Sequence, residues 1–428
     1  MQPLRCGFSL ILGALLLSPW VARAADTDTP AIAPADPALT RFVQSAVDAN
    51  PRVQAARLAL DASGAFRDAA SRPLYNPELS LDAENGDVRR RALGISQTLD
   101  LGGKREARTA VADFDRLVVQ AQYSSTRWEV TVELLNGLAQ HQTGVDSAAL
   151  ANARRRLMDD FAALAERRFE AGDLTQVELD LARLSTTNAR IQAATAEAAL
   201  AEARQVVRSV VPGRGGYADP GGAYGAPWPE LPDAAPNLPT QTDPQAMIAA
   251  LPEIVAARQR VAMADAVVDL RQRERRPDPT LSLAGGKEGG ETMIGVNVTV
   301  PLFVRNRFSA QVAAASAERN QAEQSTNDVQ QRAHARLVSA TERYALSRGA
   351  WQMWQGTGEA SLQRQTEQLQ KLWSAGELST TEYLVQLTAT LDVQQSALEL
   401  REALWRAWFE WLRASGQIDV WLGQGERP

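Results

Sequence analysis

Arg72-Pro73-Leu74-Tyr75-Asn76-Pro77-Glu78-Leu79-Ser80-Leu81 is answered, about 200 residues later, by Arg275-Arg276-Pro277-Asp278-Pro279-Thr280-Leu281-Ser282-Leu283. A recurrence at fixed offset has to be read before any single element. Three further landmarks keep the offset. Asn50-Pro51 and Leu251-Pro252 each open a helical segment upstream. Leu93-Gly94-Ile95-Ser96-Gln97-Thr98-Leu99 is matched by Ile294-Gly295-Val296-Asn297-Val298-Thr299-Val300. Arg168-Phe169-Glu170-Ala171-Gly172-Asp173-Leu174-Thr175 is matched by Lys371-Leu372-Trp373-Ser374-Ala375-Gly376-Glu377-Leu378-Ser379. Four matches in order make the chain one unit written twice.

Each copy begins with two strands. Leu79, Leu81 and Ala83 alternate with Glu78, Ser80, Asp82 and Glu84; after a turn at Asn85-Gly86-Asp87, Leu93, Ile95, Leu99 and Leu101 alternate with Gly94, Ser96, Thr98 and Asp100. The second copy repeats the pattern around Gly289-Gly290, with Ile294, Val296, Val298, Val300 and Leu302 set against Gly295, Asn297 and Thr299. Period-two alternation with one polar face predicts half-buried strands.

A very long helix follows in each copy. Lys104 to Ala171 and Phe308 to Ala375 run without proline for about 68 residues, or ~100 Å at ~1.5 Å per residue. Apolar residues fall at coiled-coil spacing, at Val111, Phe114, Val118, Ala121, Trp128, Val132 and Leu135, then at Leu337, Ala340, Tyr344, Trp351 and Trp354. Shorter helices, Leu39 to Ala70 with Thr175 to Ser209, and Pro244 to Arg275 with Ser379 to Ala414, add up to the partners each long helix needs when laid end to end.

The ends and the composition fix the setting. Arg5, the apolar run Phe8 to Leu17 and Ala22-Arg23-Ala24 predict a signal peptide over residues 1–24. Its apolar core is short of the ~20 residues of a spanning helix. The single cysteine, Cys6, lies inside it, so the mature chain has no disulfide, cysteine nucleophile or thiolate site. A net charge of -6 disfavours nucleic acid as a partner. The expected organisation is a disordered leader over 25–38, a first repeat over 39–211, a Pro/Gly-rich equatorial connector over 212–243, a second repeat over 244–416 and a tail over 417–428.

No later stretch is apolar for long enough to span a membrane as a helix, so any crossing must be made by strands. Four strands cannot close a barrel, since small closed barrels need about eight. An open sheet edge in hydrocarbon leaves backbone groups unpaired at several kcal/mol each. Several chains must then share one barrel. Three would give twelve strands and a pore lined by Glu78, Asp82, Glu84 and Asn297.

The duplicated strand-strand-long-helix-turn-helix unit, with Asn76-Pro77-Glu78-Leu79-Ser80 and Gln97-Thr98-Leu99-Asp100-Leu101-Gly102-Gly103-Lys104-Arg105, resembles the TolC-like outer-membrane efflux family over essentially the whole mature chain. Gly102-Gly103-Lys104-Arg105 at the barrel-to-helix junction is most similar to the branch serving cobalt-zinc-cadmium exporters. The resemblance implies a mainly α fold with a small β part, forming as a homotrimer a 12-stranded outer-membrane β-barrel and a periplasmic α-helical barrel. It implies a channel in contact with outer-membrane lipid, a periplasmic adaptor (membrane fusion protein) and an inner-membrane resistance-nodulation-division pump, with divalent heavy-metal cations as cargo, no cofactor and no enzymatic activity.

The two Ala-Gly turns match that family's tips, which makes Gly172, Asp173, Leu174, Thr175, Gly376, Glu377, Leu378 and Ser379 the expected adaptor contacts. An ordinary hairpin explains the same residues, because glycine ends a helix by admitting positive φ and Thr175 or Ser379 can cap the next. Glu178 and Glu382 stand six residues past each tip glycine, where the family places acids that narrow the closed tunnel and bind cations; Val385 occupies the place of the second acid. A lone helical glutamate is more often simply solvated. Lys104 and Arg105 read either as snorkelling lipid contacts or as part of a plain turn. His141 and His334 do not correspond between copies and have no ligand-spaced partner, so no metal site is expected. Trp405, Trp408 and Trp411 at helical spacing read as packing.

Rival readings are a trimeric coiled-coil surface protein, which paired strands and returning helices disfavour, and an enzyme, for which no Gly-x-Ser-x-Gly, His-Glu-x-x-His or phosphate loop exists. Drug efflux and type I protein secretion compete with metal efflux, because pore-lining residues do not discriminate cargo.

Overall fold

The computed structural model describes residues 32–211, 228–233, 236–239, 243–375 and 377–423. The expected signal peptide, residues 25–31 of the leader, most of the connector and Gly376 lie outside them. The rest of the leader, expected to be disordered, is instead ordered, with Ile32 buried in the core, the Ala35 N–H donating to the Trp421 carbonyl at 2.8 Å and a helix starting at Pro37. The first copy comprises α1 (Pro37–Ala49), α2 (Pro51–Ala70), β1 (Glu78–Asn85), β2 (Arg89–Thr98), α3 (Lys104–Glu170) and α4 (Gln176–Val210). The second comprises α5 (Pro244–Ala250), α6 (Pro252–Glu274), β3 (Thr280–Glu288), β4 (Glu291–Thr299), α7 (Ser309–Met353), α8 (Glu359–Ser374), α9 (Thr380–Ser415) and the short α10 (Ile418–Trp421). The fold is mainly helical, with one four-stranded antiparallel sheet in the order β1-β2-β3-β4.

Two helical expectations change. The stretches read as single helices upstream of the strands break at Asn50-Pro51 and Leu251-Pro252, with ψ of 131° and 134° at the residue before each proline. A proline disfavours helical ψ in the residue before it, yet suits the first turn of a new helix, where its missing N–H costs nothing. The second long helix is also not continuous. One π turn, Trp354–Gly358, separates α7 from α8, whereas α3 runs 67 residues unbroken. A Cβ on Gly358 would lie 2.4 Å from the Trp354 ring, so the glycine makes room for an indole that packs against the core. The first copy carries Leu150-Ala151-Asn152-Ala153-Arg154 in the matching stretch and needs no such adjustment.

The end-to-end arrangement of the shorter helices is built by single residues. Asn50 caps α2 by accepting from the Arg52 N–H at 2.9 Å and donates its Nδ2 to the Val210 carbonyl at the end of α4, at 2.7 Å. The end of α4 is thereby tied to the start of α2. In the second copy Gly416, at φ 75°, closes α9 against Leu251 at the start of α6.

Two apolar clusters hold the helices. The larger surrounds the middle of α3 and the aromatic end of α9, where Trp405, Trp408 and Trp411 are buried as packing residues and Trp408 stacks on Trp411 at 5.0 Å. Described pieces of the connector are held there: Trp405 Nε1 donates to the Pro232 carbonyl at 3.1 Å and Trp351 Nε1 to the Asp233 carbonyl at 2.8 Å. The smaller cluster lies at the helical tips.

Candidate functional site

Side chains directly opposite on paired strands share a face, so the register decides what each face of the sheet carries. Leu81 faces Leu93, Ile95 faces Leu283 and Leu283 faces Val296. Leu79, Leu281, Ile294 and Val298 fall on the same side. All of these are exposed in the chain, from 46% at Leu281 to 80% at Ile294. The opposite face carries Glu78, Asp82, Glu84 and Asn297 with Ser80, Ser96, Ser282 and Thr299, and small residues at Gly94, Ala284 and Gly295. The four sequence-predicted pore residues therefore share one polar face. Withdrawing each large apolar side chain from water contributes about 1.5–3 kcal/mol, so the other face has the chemistry of a surface in contact with lipid. Strands β1 and β4 are the edges of the sheet, each paired on one side only among the described residues.

At the foot of the sheet the junction is polar and buried. Lys104 Nζ lies 2.8 Å from Asp278 Oδ2, with side chains only 11% and 5% exposed. The same oxygen accepts a hydrogen bond from the Tyr75 hydroxyl at 2.8 Å, which, with burial and the Asp278 charge, pushes the phenol up to about 12. Lys104 is thus neither a snorkelling lipid contact nor part of a plain turn. Its stem is buried because Asp278 meets it from the second copy, and a buried charge is kept only when paired.

The rest of the junction caps α3. Asp100 accepts from the N–H of Lys104 at 2.9 Å and of Arg105 at 2.8 Å. Burial pushes its carboxyl up, but these bonds, the nearby Lys104 charge and the Gly103 N–H outweigh burial and hold it below the usual carboxylate range. Gly103, at φ 69°, turns the chain into the helix, and a Cβ there would lie 2.5 Å from the Arg273 guanidinium, which donates to the Gly103 carbonyl at 3.0 Å. Gly102 is buried against the α6 backbone at Arg273, while Arg105 is exposed.

The tips are small and largely exposed. Gly172 takes φ 82°, and the Asp173 N–H bonds back to the Arg168 carbonyl at 2.8 Å. Thr175 and Ser379 cap α4 and α9 in reciprocal capping boxes with Glu178 and Glu382. Glu178 Oε2 accepts from the Thr175 N–H at 2.9 Å and hydroxyl at 2.8 Å; Glu382 Oε2 accepts from the Ser379 N–H at 3.1 Å and hydroxyl at 2.8 Å. Both carboxyls are held below the usual glutamate value, Glu178 first by the Thr175 N–H and Glu382 first by the Ser379 hydroxyl. Leu174 and Leu378 pack partly buried against the tip cluster, where Trp373 stacks on Tyr383 at 4.7 Å. Gly172, Asp173, Thr175, Glu377 and Ser379 are exposed.

Asp278, Tyr75 and Asn50 were not singled out from sequence as site residues. Their signal was present only as a polar residue within two positions of a landmark proline, with its partner more than 150 residues away.

Residues 42–211 and 244–417 match the family profile described as outer membrane efflux protein. The chain belongs to the outer membrane efflux protein family. Over 295 residues, 66% of this chain and 67% of its relative, it is 26% identical to the cobalt-zinc-cadmium resistance protein CzcC of Cupriavidus metallidurans. Its fold is similar to that of CusC, whose crystal structures concern folding and transmembrane channel formation, with a TM-score of 0.71 and 17% identity over 89% of this chain and 92% of that one. It is also similar to the Campylobacter jejuni CmeC outer membrane channel, with a TM-score of 0.72 and 15% identity over 91% and 87%. This efflux protein resides in the outer membrane. No helix among the described residues is long and apolar enough to cross a membrane, and the exposed apolar sheet face is the surface that suits lipid.

Proposed function

We propose that three copies of this chain close one twelve-stranded barrel and one helical tube, forming the outer-membrane channel of a tripartite efflux system for divalent heavy-metal cations. The observation that carries the reading is a four-stranded sheet, apolar on one exposed face and polar on the other, with each edge strand paired on one side only among the described residues. In hydrocarbon such edges must be paired, and copies of the same chain can pair β4 with the next β1. A second seam supports it: Val177, Leu181, Leu184 and Ile191 on α4 follow heptad spacing and are exposed, the pattern of a helix awaiting a neighbour.

The two repeats, 39–211 and 244–416, each supply a strand pair and a helical hairpin. The polar sheet face with Glu78, Asp82, Glu84 and Asn297 lines the pore, and the exposed tip residues Gly172, Asp173, Thr175, Glu377 and Ser379 meet a periplasmic adaptor bound to an inner-membrane pump. Glu178 and Glu382 add a ring of negative charge near the tips that attracts cations. The metal cargo is supported by similarity to a cobalt-zinc-cadmium resistance protein and by the Gly102-Gly103-Lys104-Arg105 junction.

Deleting the gene is expected to lower tolerance to zinc, cobalt or cadmium ions, and the detergent-extracted protein is expected to run as a trimer. Unchanged metal tolerance with raised drug sensitivity would transfer the reading to drug efflux. A monomer in detergent would overturn the shared barrel. Replacing both Glu178→Gln and Glu382→Gln keeps the capping boxes while removing charge; unchanged cation selectivity of the reconstituted channel would remove both from the gate.

A further inference from the structure

The outer rim of the sheet carries an unbalanced charge. Arg91 stands directly opposite Lys287, and Arg89 lies two residues along the same strand, all three on the apolar face. They are exposed and sit just beyond the apolar band, at the hairpin end remote from the helices. Opposite side chains on an antiparallel pair are about 4.5–5.5 Å apart at Cβ, where like charges destabilise. Their neighbours on that face are Ala83, Asn85, Leu93, Gly285 and Thr292, none of them acidic. Asp87, in the loop between β1 and β2, makes no ion pair with any of the three among the described residues. Arg90, between the two arginines, points to the polar face, where the register sets it between Glu84 and Glu288. One face places an acid on either side of its arginine and the other leaves three cations together.

We propose that Arg89, Arg91 and Lys287 bind the phosphate groups of the glycolipid of the outer leaflet, lipid A. The inference rests on the orientation already given, with helices in the periplasm and hairpins outward. Arginine forks match phosphate oxygens bidentately and lysine adds a point charge. The long stems lie along the apolar band while the charged heads reach the polar boundary. An anion at this position also relieves the Arg91–Lys287 repulsion.

The test uses the full-length protein purified in neutral detergent, with the loss of β signal on heating read by circular dichroism. Phosphorylated lipid A is expected to raise the midpoint of the unaltered protein and of Arg90→Ser. The rise should fall by about half or more in the triple variant Arg89→Ser, Arg91→Ser, Lys287→Ser. Should the triple variant not be recovered, Lys287→Ser alone is read the same way. An undiminished rise in the variants would overturn the proposal, as would equal protection by dephosphorylated lipid A or by phosphatidylglycerol. A chain that stays soluble without detergent overturns the membrane orientation instead, before any lipid is added.

Discussion

The two copies of the repeat share their plan but divide one task unequally. The first copy supplies Lys104, Tyr75 and the Asp100 cap to the junction, and its α3 is unbroken. The second supplies Asp278, starts α7 through Phe308 at φ 56° with no side-chain cap, and breaks its long helix at the π turn. The positions matching Asp278 and Lys104, Asn76 and Ser309, bear no charge. Several contacts join the halves, among them Arg154–Asp392 and Arg273–Glu106, but Lys104–Asp278 is the pair buried on both sides among the described residues, and that lock is built from a residue of each copy. The second copy has instead taken on the indole Trp354 and the glycine that accommodates it.

Breaking the lock should have the largest effect. Lys104→Ala leaves the Asp278 carboxylate buried without its countercharge and is expected to cost about 3–5 kcal/mol, read as a fall in the heating midpoint of the detergent-solubilised protein. The double change Lys104→Met with Asp278→Leu should recover much of that loss, because no charge is then left buried and unpaired, although Tyr75 loses its hydrogen-bond acceptor. If the double variant is as unstable as the single one, the ion pair is not what joins the halves. The mirror change, Asn76→Ala, should do far less.

The π turn gives a prediction with a sign. Gly358→Ala drives a methyl into the Trp354 ring and is expected to cost about 1–3 kcal/mol by overpacking. Two residues away, a Cβ on Gly356 meets nothing within 4 Å, so Gly356→Ala should stabilise by up to about 1 kcal/mol through helix propensity. Equal effects from the two would mean that Trp354 does not set the turn. At the junction Asp100→Ala, which removes the cap of α3, should cost about 1 kcal/mol, while no single substitution near Phe308 removes a comparable side-chain cap from α7.

The tips should respond least and almost alike. Their glutamates have folded pKa values below the unfolded value near 4.5. The stabilisation of such a group is present above the unfolded value and is lost as pH falls through the folded one. Amide exchange at 173–178 should therefore quicken as pH drops below about 4.5, after correction for intrinsic rates. Glu178→Gln, which retains a capping-box partner, should abolish that pH dependence. If it persists, another group titrates at the tip.

Much of this was legible in the chain. Alternation at Leu79 to Ala83 and Ile294 to Val300, the proline-free run after Lys104 and the Gly-capped tips each express a backbone rule within a few residues, so strands, long helices and turns could be placed without a fold. The duplication could be read because its landmarks are glycines and prolines, whose positions the backbone dictates. Thr175 and Ser379 as caps were readable on the same grounds, three residues from their partners.

What tertiary structure decided is whatever depends on residues far apart in the chain meeting. Lys104 had two sequence readings and neither held, because its partner Asp278 lies 174 residues away. The π turn depends on which way Trp354 packs, and the gathering of Glu78, Asp82, Glu84 and Asn297 on one face depends on strand register across both copies. Local preference fixes the elements, since it acts through neighbouring backbone; the pairing of buried charge and the sorting of faces belong to long-range contacts, whose energy exists only once the chain has closed on itself.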